Sequence, residues 1–175
     1  RFDLMFSYAD WSSTNNPDIS LWDVSSATHF TEFARRSGIS ALDTSNWEIS
    51  NSCTSMISFV EDSAFSGTLD FSHINCDFSG VTSFHSFAKD VDLTGFKLNA
   101  TADFSGSFSF SSFSVNGSTP LSTVDYDYFL GRLAATGMIA AIILDMGDAN
   151  YTLAAAPDRA TLTTTKGWTV NDGGI

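Results

Sequence analysis

The strongest constraint in this chain is an internal repeat. Asp77-Phe78-Ser79-Gly80-Val81-Thr82-Ser83-Phe84-His85-Ser86-Phe87-Ala88 aligns without a gap on Asp103-Phe104-Ser105-Gly106-Ser107-Phe108-Ser109-Phe110-Ser111-Ser112-Phe113-Ser114, 26 residues later. A large apolar pair at i and i+3 then recurs backwards from Phe110/Phe113 as Phe84/Phe87, Met56/Phe59, Phe30/Phe33 and Phe2/Met5, at offsets of 26, 28, 26 and 28 residues. Such spacing places both side chains on one face of a single helical turn. A unit this short cannot bury that face alone, whereas stacked neighbours can. The expected core is therefore Phe30, Phe33, Met56, Phe59, Phe84, Phe87, Phe110 and Phe113, stacked in two files.

Upstream of each pair lies a short alternating segment: Trp22-Asp23-Val24-Ser25, Trp47-Glu48-Ile49-Ser50, Cys76-Asp77-Phe78-Ser79 and Ala102-Asp103-Phe104-Ser105. Apolar, acidic, apolar, serine is the period of a strand with one buried face. Cys76 falls in the inward column of Trp22 and Trp47, while Cys53 lies beside a one-residue insertion, in a turn; both are expected as free thiols. The predicted fold class is an α/β repeat solenoid, leucine-rich-repeat-like, in which short parallel strands alternate with short helical turns. Residues 1–116 form about five coils, and residues 121–175 form a small α/β capping unit continuous with them.

In that cap, Ser122 precedes Asp125 by three residues, and Phe129, Leu130, Leu133 and Ala134 make a helical stripe that stops at Gly137. Residues 138–144 read as a buried strand. A second helix accepts Pro157 near its first turn and ends at Gly167, Trp168-Thr169-Val170 reads as a last strand, and Asn171-Asp172-Gly173-Gly174 as a turn.

These residues carry a resemblance. Asp18-Ile19-Ser20-Leu21-Trp22-Asp23-Val24-Ser25-Ser26-Ala27-Thr28-His29-Phe30 resembles the BspA-type surface repeat, and Met5-Phe6 resembles the end of an earlier copy. Arg159-Ala160-Thr161-Leu162 followed by Lys166-Gly167-Trp168-Thr169-Val170-Asn171-Asp172-Gly173-Gly174 is similar to the close found after such repeats in bacterial surface proteins and phage tail or fibre proteins. The resemblance implies a leucine-rich-repeat-like solenoid used for attachment, and no catalytic residues.

Charge narrows the partners. With 8 Lys+Arg against 20 Asp+Glu the net charge is −12, so phosphate backbones and anionic lipid surfaces are repelled, and nucleic acid is not an expected partner. The longest apolar run, residues 138–144, is far below the roughly 20 residues needed to cross a bilayer, so no membrane insertion is expected. The chain opens at Arg1 with no initiator Met and no signal-peptide pattern, and reads as the product of a cut.

The acidic column Asp23, Glu48, Asp77 and Asp103 is the candidate ligand-binding site. Carboxylates stacked at strand spacing would attract a cation such as Ca2+ or a basic partner; alternatively, each caps its own turn by accepting from the serine two residues on. No other cofactor is expected. His29, His73 and His85 fall at different places in their coils and form no ligand set. The oxygen-rich segment Asp145-Met146-Gly147-Asp148-Ala149-Asn150 lacks the closing Glu of an EF-hand and reads as a strand-to-helix turn. Asn99, Asn116 and Asn150 each satisfy the N-glycosylation pattern. No nucleophile-base order or phosphate loop is visible. The expected function is a non-enzymatic attachment module that binds a host or cell-surface receptor, glycan or protein, in a larger assembly. A virion surface protein of the tail or fibre kind comes first, a bacterial cell-surface adhesin second, and a carbohydrate-active solenoid enzyme third.

Overall fold

A computed structural model describes residues 1–11, 16–114 and 117–175. Its elements are β1 (Ser66–Phe71), β2 (Asp92–Leu98), α1 (Thr123–Thr136), β3 (Ile143–Asp145), α2 (Ala156–Ala160), which runs on as a wider π turn over Thr161–Thr165, and β4 (Thr169–Asn171). β1 pairs with β2 and β3 with β4, both parallel, in two two-stranded sheets. Most of the order before residue 122 lies outside these elements, in tiers linked by parallel bridges from His29 to Ser55, Ser83 and Ser109.

At the aromatic anchors the backbone differs from the expected helical turn. Residues 30–33, 84–87 and 110–113 are β-turns closed by an N–H of the fourth residue on the carbonyl of the first: Phe33 on Phe30, Phe87 on Phe84 and Phe113 on Phe110. The third residue is left-handed each time, with φ of 55° at Glu32, 53° at Ser86 and 54° at Ser112, which is the type II pattern. A second left-handed residue follows four positions later at Tyr8, Arg36, Asp62 and Asp90. None of these is glycine, so each costs roughly 1–2 kcal/mol against ordinary backbone.

The return on that strain is a cross-tier ladder. Within residues 30–36, the N–H groups of Phe30, Glu32, Ala34 and Arg36 donate to the carbonyls of Ser55, Ile57, Phe59 and Glu61. The same alternation joins Phe2, Leu4, Phe6 and Tyr8 to His29, Thr31, Phe33 and Arg35, and Met56, Ser58, Val60 and Asp62 to Ser83, His85, Phe87 and Lys89. Because C=O and N–H point oppositely across a trans peptide, each carbonyl that accepts from the tier before is followed by an N–H that donates to the tier after. Every second peptide unit thus lies along the stacking direction, all with the same sense.

The ladder sets the aromatic spacing. Phe33, Phe59, Phe87 and Phe113 stack in sequence with ring centroids 5.1, 5.4 and 5.0 Å apart, and Phe84 stacks on Phe110 at 5.3 Å. All eight residues expected in the two files are fully buried. The first tier departs from this pattern: Met5 is 45% exposed, and Phe6 packs edge-on against Phe33 at 5.2 Å in its stead.

The strand expectation also shifts place. Residues 22–25, 47–50, 76–79 and 102–105 form no strand; they are extended pieces ending in tight turns. The paired strands β1 and β2 occupy another column, reached from the preceding tier by Ser66 N–H to the Ser40 carbonyl and by Asp70 N–H to Thr44 Oγ1. Alternation at 22–25 reflects inward Val24 and outward Asp23, a pattern that a capped turn satisfies as well as a strand.

The C-terminal residues close the far end. Ser122 caps α1 by accepting from the Asp125 N–H, and Phe129 packs against Phe96, Phe104 and Phe113 at 5.2–5.5 Å. Residues 138–144 are a strand only from Ile143, and the run is not wholly buried, with Ile139 78% and Ile143 49% exposed. Asp172, in the predicted terminal turn, has a side chain 1% exposed that takes two bonds from Arg159 at 2.8 and 3.1 Å and one from the Tyr126 hydroxyl at 2.8 Å.

Two equivalent glycines sit where neighbouring tiers come close together. A Cβ added at Gly80 would strike the carbonyl oxygen of Asn51, and one at Gly106 that of Ser79, each in the preceding tier. Gly106→Ala is expected to destabilise the protein by about 1–3 kcal/mol through forced backbone separation, read as a lower urea midpoint at unchanged m-value.

Candidate functional site

The acidic column is built from Asx turns. Asp23 accepts the Ser25 N–H at 3.0 Å and its hydroxyl at 2.7 Å, while Asp77 and Asp103 accept the N–H groups of Ser79 and Ser105, each at 2.8 Å. Such a side chain mimics a backbone turn and holds the carboxylate outward. Glu48 is too long for that role; its Oε1 lies 3.7 Å from His73 Nε2. These ties lower the Asp23 pKa from its ordinary value, first through the Ser25 hydroxyl and then through its N–H.

The four residues form two grooves. Asp23 and Glu48 line a shallow one of about 410 Å³ with Leu21, Trp22 and Asn46, and Asp77 and Asp103 line another of about 260 Å³ with Ile74 and Asn75. Each groove carries one aliphatic side chain turned to solvent, Leu21 at 88% and Ile74 at 71% exposure.

A second Asx column was missed in the sequence. Asp18, Asp43 and Asp70 accept from Ser20, Ser45 and Ser72 through both N–H and hydroxyl, and Asn99 accepts from Thr101 likewise. The recurring Asp-x-Ser or Asn-x-Thr was the available signal. Asn99 is 5% exposed, and its amide donates to the carbonyls of His73 and Cys76 at 2.7 and 2.8 Å, which removes it as a glycan acceptor in the folded chain. Asn150 is exposed, and Asn116 lies outside the described residues.

The cations lie elsewhere. Arg35 pairs with Glu32 and Glu61, Arg36 with Asp62, and Lys89 with Glu61 and Asp90, a network running across tiers beside the turn ladder. The histidines stay separate: His29 bonds Thr28 and Thr54, and His85 bonds Ser111. Among the described residues, no three His, Cys, Asp or Glu side chains converge as metal ligands, at the acidic column or at Asp145 to Asn150.

Both cysteines are free, and Cys53, expected in a turn, is as buried as Cys76. Burial pushes the Cys53 thiol up to about 12 and the Cys76 thiol up to about 11, from 9.0. A raised thiol pKa favours the folded state below the unfolded value and loses that contribution as pH climbs from there through the folded values. Native protein at pH 8 is expected to resist thiol alkylation, with both sites reacting in denaturant, and stability is expected to decline above about pH 9. Mass-spectrometric counting of alkylated thiols and urea midpoints across pH 7–11 check this.

Among family descriptions, curated proteins and solved structures, nothing matches this chain.

Proposed function

We propose that this chain is a non-enzymatic extracellular attachment module, a leucine-rich-repeat-like solenoid that serves as the host-recognition component of a virion tail or fibre. The observation that carries the reading is the pairing of exposed Leu21 and Ile74 with carboxylates in two separate grooves on the repeat. An aliphatic side chain held in water beside fixed negative charge gains most from a partner that covers it with apolar surface and meets the charge with a basic group. The turn bonds leave Asp23, Asp77 and Asp103 rigid, so little side-chain entropy is lost on contact.

The same bonds favour recognition over catalysis. A glycosidase pair needs one carboxyl free to carry a proton at neutral pH. Asp23 is held the other way, with its pKa lowered by its bonds from the Ser25 hydroxyl and N–H.

Asparagine retains the acceptor oxygen that an Asx turn needs, so Asp77→Asn with Asp103→Asn removes charge without removing the turn. This double variant, and separately Leu21→Ser with Ile74→Ser, is expected to keep the wild-type melting temperature within a few degrees. Each is expected to weaken binding of the labelled protein to its host cells by about 1–2 kcal/mol. Undiminished cell binding by both variants rejects the attachment surface. Unchanged binding by the asparagine variant, with a fall in melting temperature only when Asp77→Ala and Asp103→Ala remove the acceptor oxygens, assigns the carboxylates to turn capping alone.

A further inference from the structure

A larger cleft, of about 590 Å³, lies away from the acidic column where the end of β2 meets α1 and the start of α2. Its apolar surface comes from Leu98, Val124, Tyr128 and Ala155, and its charge from Asp125, Asp127 and Asp158 against Lys97. Val124, Asp127, Tyr128 and Gly131 follow one another at i, i+3, i+4 and i+7, so one face of α1 forms the wall. Val124 is 79% exposed and Tyr128 41%, an apolar surface that nothing in the chain covers among the described residues.

The charged groups are not equivalent. Asp125 accepts the Phe96 N–H and the Ser122 hydroxyl, and Asp127 accepts the N–H and hydroxyl of Thr152 at 2.9 and 2.6 Å. Lys97 pairs with Asp70 at 3.6 Å, and Asp70 does not line the cleft. Asp158 makes no side-chain hydrogen bond or ion pair among the described residues. Its Oδ2 lies over α1, 3.4 Å from where a Cβ at Gly131 would stand.

We propose that this cleft binds a cationic group on an apolar stem, the class to which lysine and arginine side chains of a partner polypeptide belong. The stem lies against Val124, Leu98, Ala155 and the Tyr128 ring, and the cation reaches Asp158, with Asp127 as the second carboxylate. Long basic side chains bury an apolar stem while keeping the charged head paired, and a cation near a tyrosine face gains further attraction. Three carboxylates against one already paired ammonium make the lining attractive to cations and repulsive to anions. The site does not depend on the attachment reading, because it lies where α1 and α2 of the C-terminal unit meet the end of β2 and uses none of the repeat grooves.

The test uses the whole chain and three probes followed by amide chemical shifts: N-acetyl-lysine methylamide, its neutral counterpart N-acetyl-norleucine methylamide, and a neutral monosaccharide. The lysine probe is expected to shift Leu98, Val124, Tyr128 and Ala155 and to bind about tenfold more tightly than norleucine. Asp158→Asn is expected to lose about that factor without a change in melting temperature, since the carboxylate has no internal partner to lose. Tyr128→Leu, which keeps an apolar wall, is expected to lose severalfold through the missing ring. Equal binding of lysine and norleucine, preference for the sugar, shifts that map elsewhere, no shift by any probe, or an Asp158→Asn variant with undiminished affinity would each overturn the proposal.

Discussion

The alignment of every second peptide unit with the stacking direction is the constraint from which the rest of the repeat follows. To keep four N–H groups of residues 30–36 pointing at the next tier, the chain turns back on itself at each step. Left-handed residues at Glu32 and Arg36, and at their equivalents, make that possible. The turns throw aromatic side chains inward at positions three apart, and the ladder fixes their separation at ring-stacking distance. Gly80 and Gly106 are small for the same reason, because at these positions the tiers approach too closely for a side chain. About 1–2 kcal/mol of strain at each left-handed residue is offset, at Leu4, Tyr8, Glu32, Arg36, Ser58, Asp62 and Ser86, by a cross-tier hydrogen bond from the same residue and by full burial of the neighbouring rings.

A ladder of one polarity has unlike ends. At the C-terminal end, β3 meets it through Ser114 N–H to the Asp145 carbonyl and Asp145 N–H to the Phe110 carbonyl, while Phe129 and Trp168 cover the last rings. At the other end the carbonyls of Asp3, Met5 and Ser7 accept no hydrogen bond among the described residues. Cations are concentrated where they tie tiers together, at Arg35, Arg36 and Lys89, or where they tie the cap, at Arg159 on Asp172. The excess of carboxylates is thereby left to the outer turns and to the cleft beside α1.

Different parts of this arrangement were legible to different degrees. Stacking forces equivalent positions to carry equivalent side chains, so the aromatic anchors could be read from spacing alone. Capping chemistry is local, which made α1 visible from Ser122, Asp125 and Gly137. The turn conformation was hidden, because the left-handed positions are held by Leu4, Tyr8, Glu32, Ser58 and Asp62 instead of the Gly or Asn that normally signals them. Alternation at residues 22–25 was ambiguous, since an Asx turn and a strand both put Asp23 out and Val24 in. The cleft was invisible for another reason: Leu98, Tyr128 and Asp158 meet only through packing of segments far apart in sequence.

Residue-resolved amide hydrogen exchange under native conditions tests the cross-tier ladder most directly. The account predicts an alternating pattern in which Met56, Ser58, Val60 and Asp62 exchange only through global or near-global unfolding, while Ile57, whose N–H has no acceptor in the ladder, exchanges far faster. Uniform protection of residues 56–62, as helical N–H bonds to carbonyls three or four residues earlier would give, would contradict it.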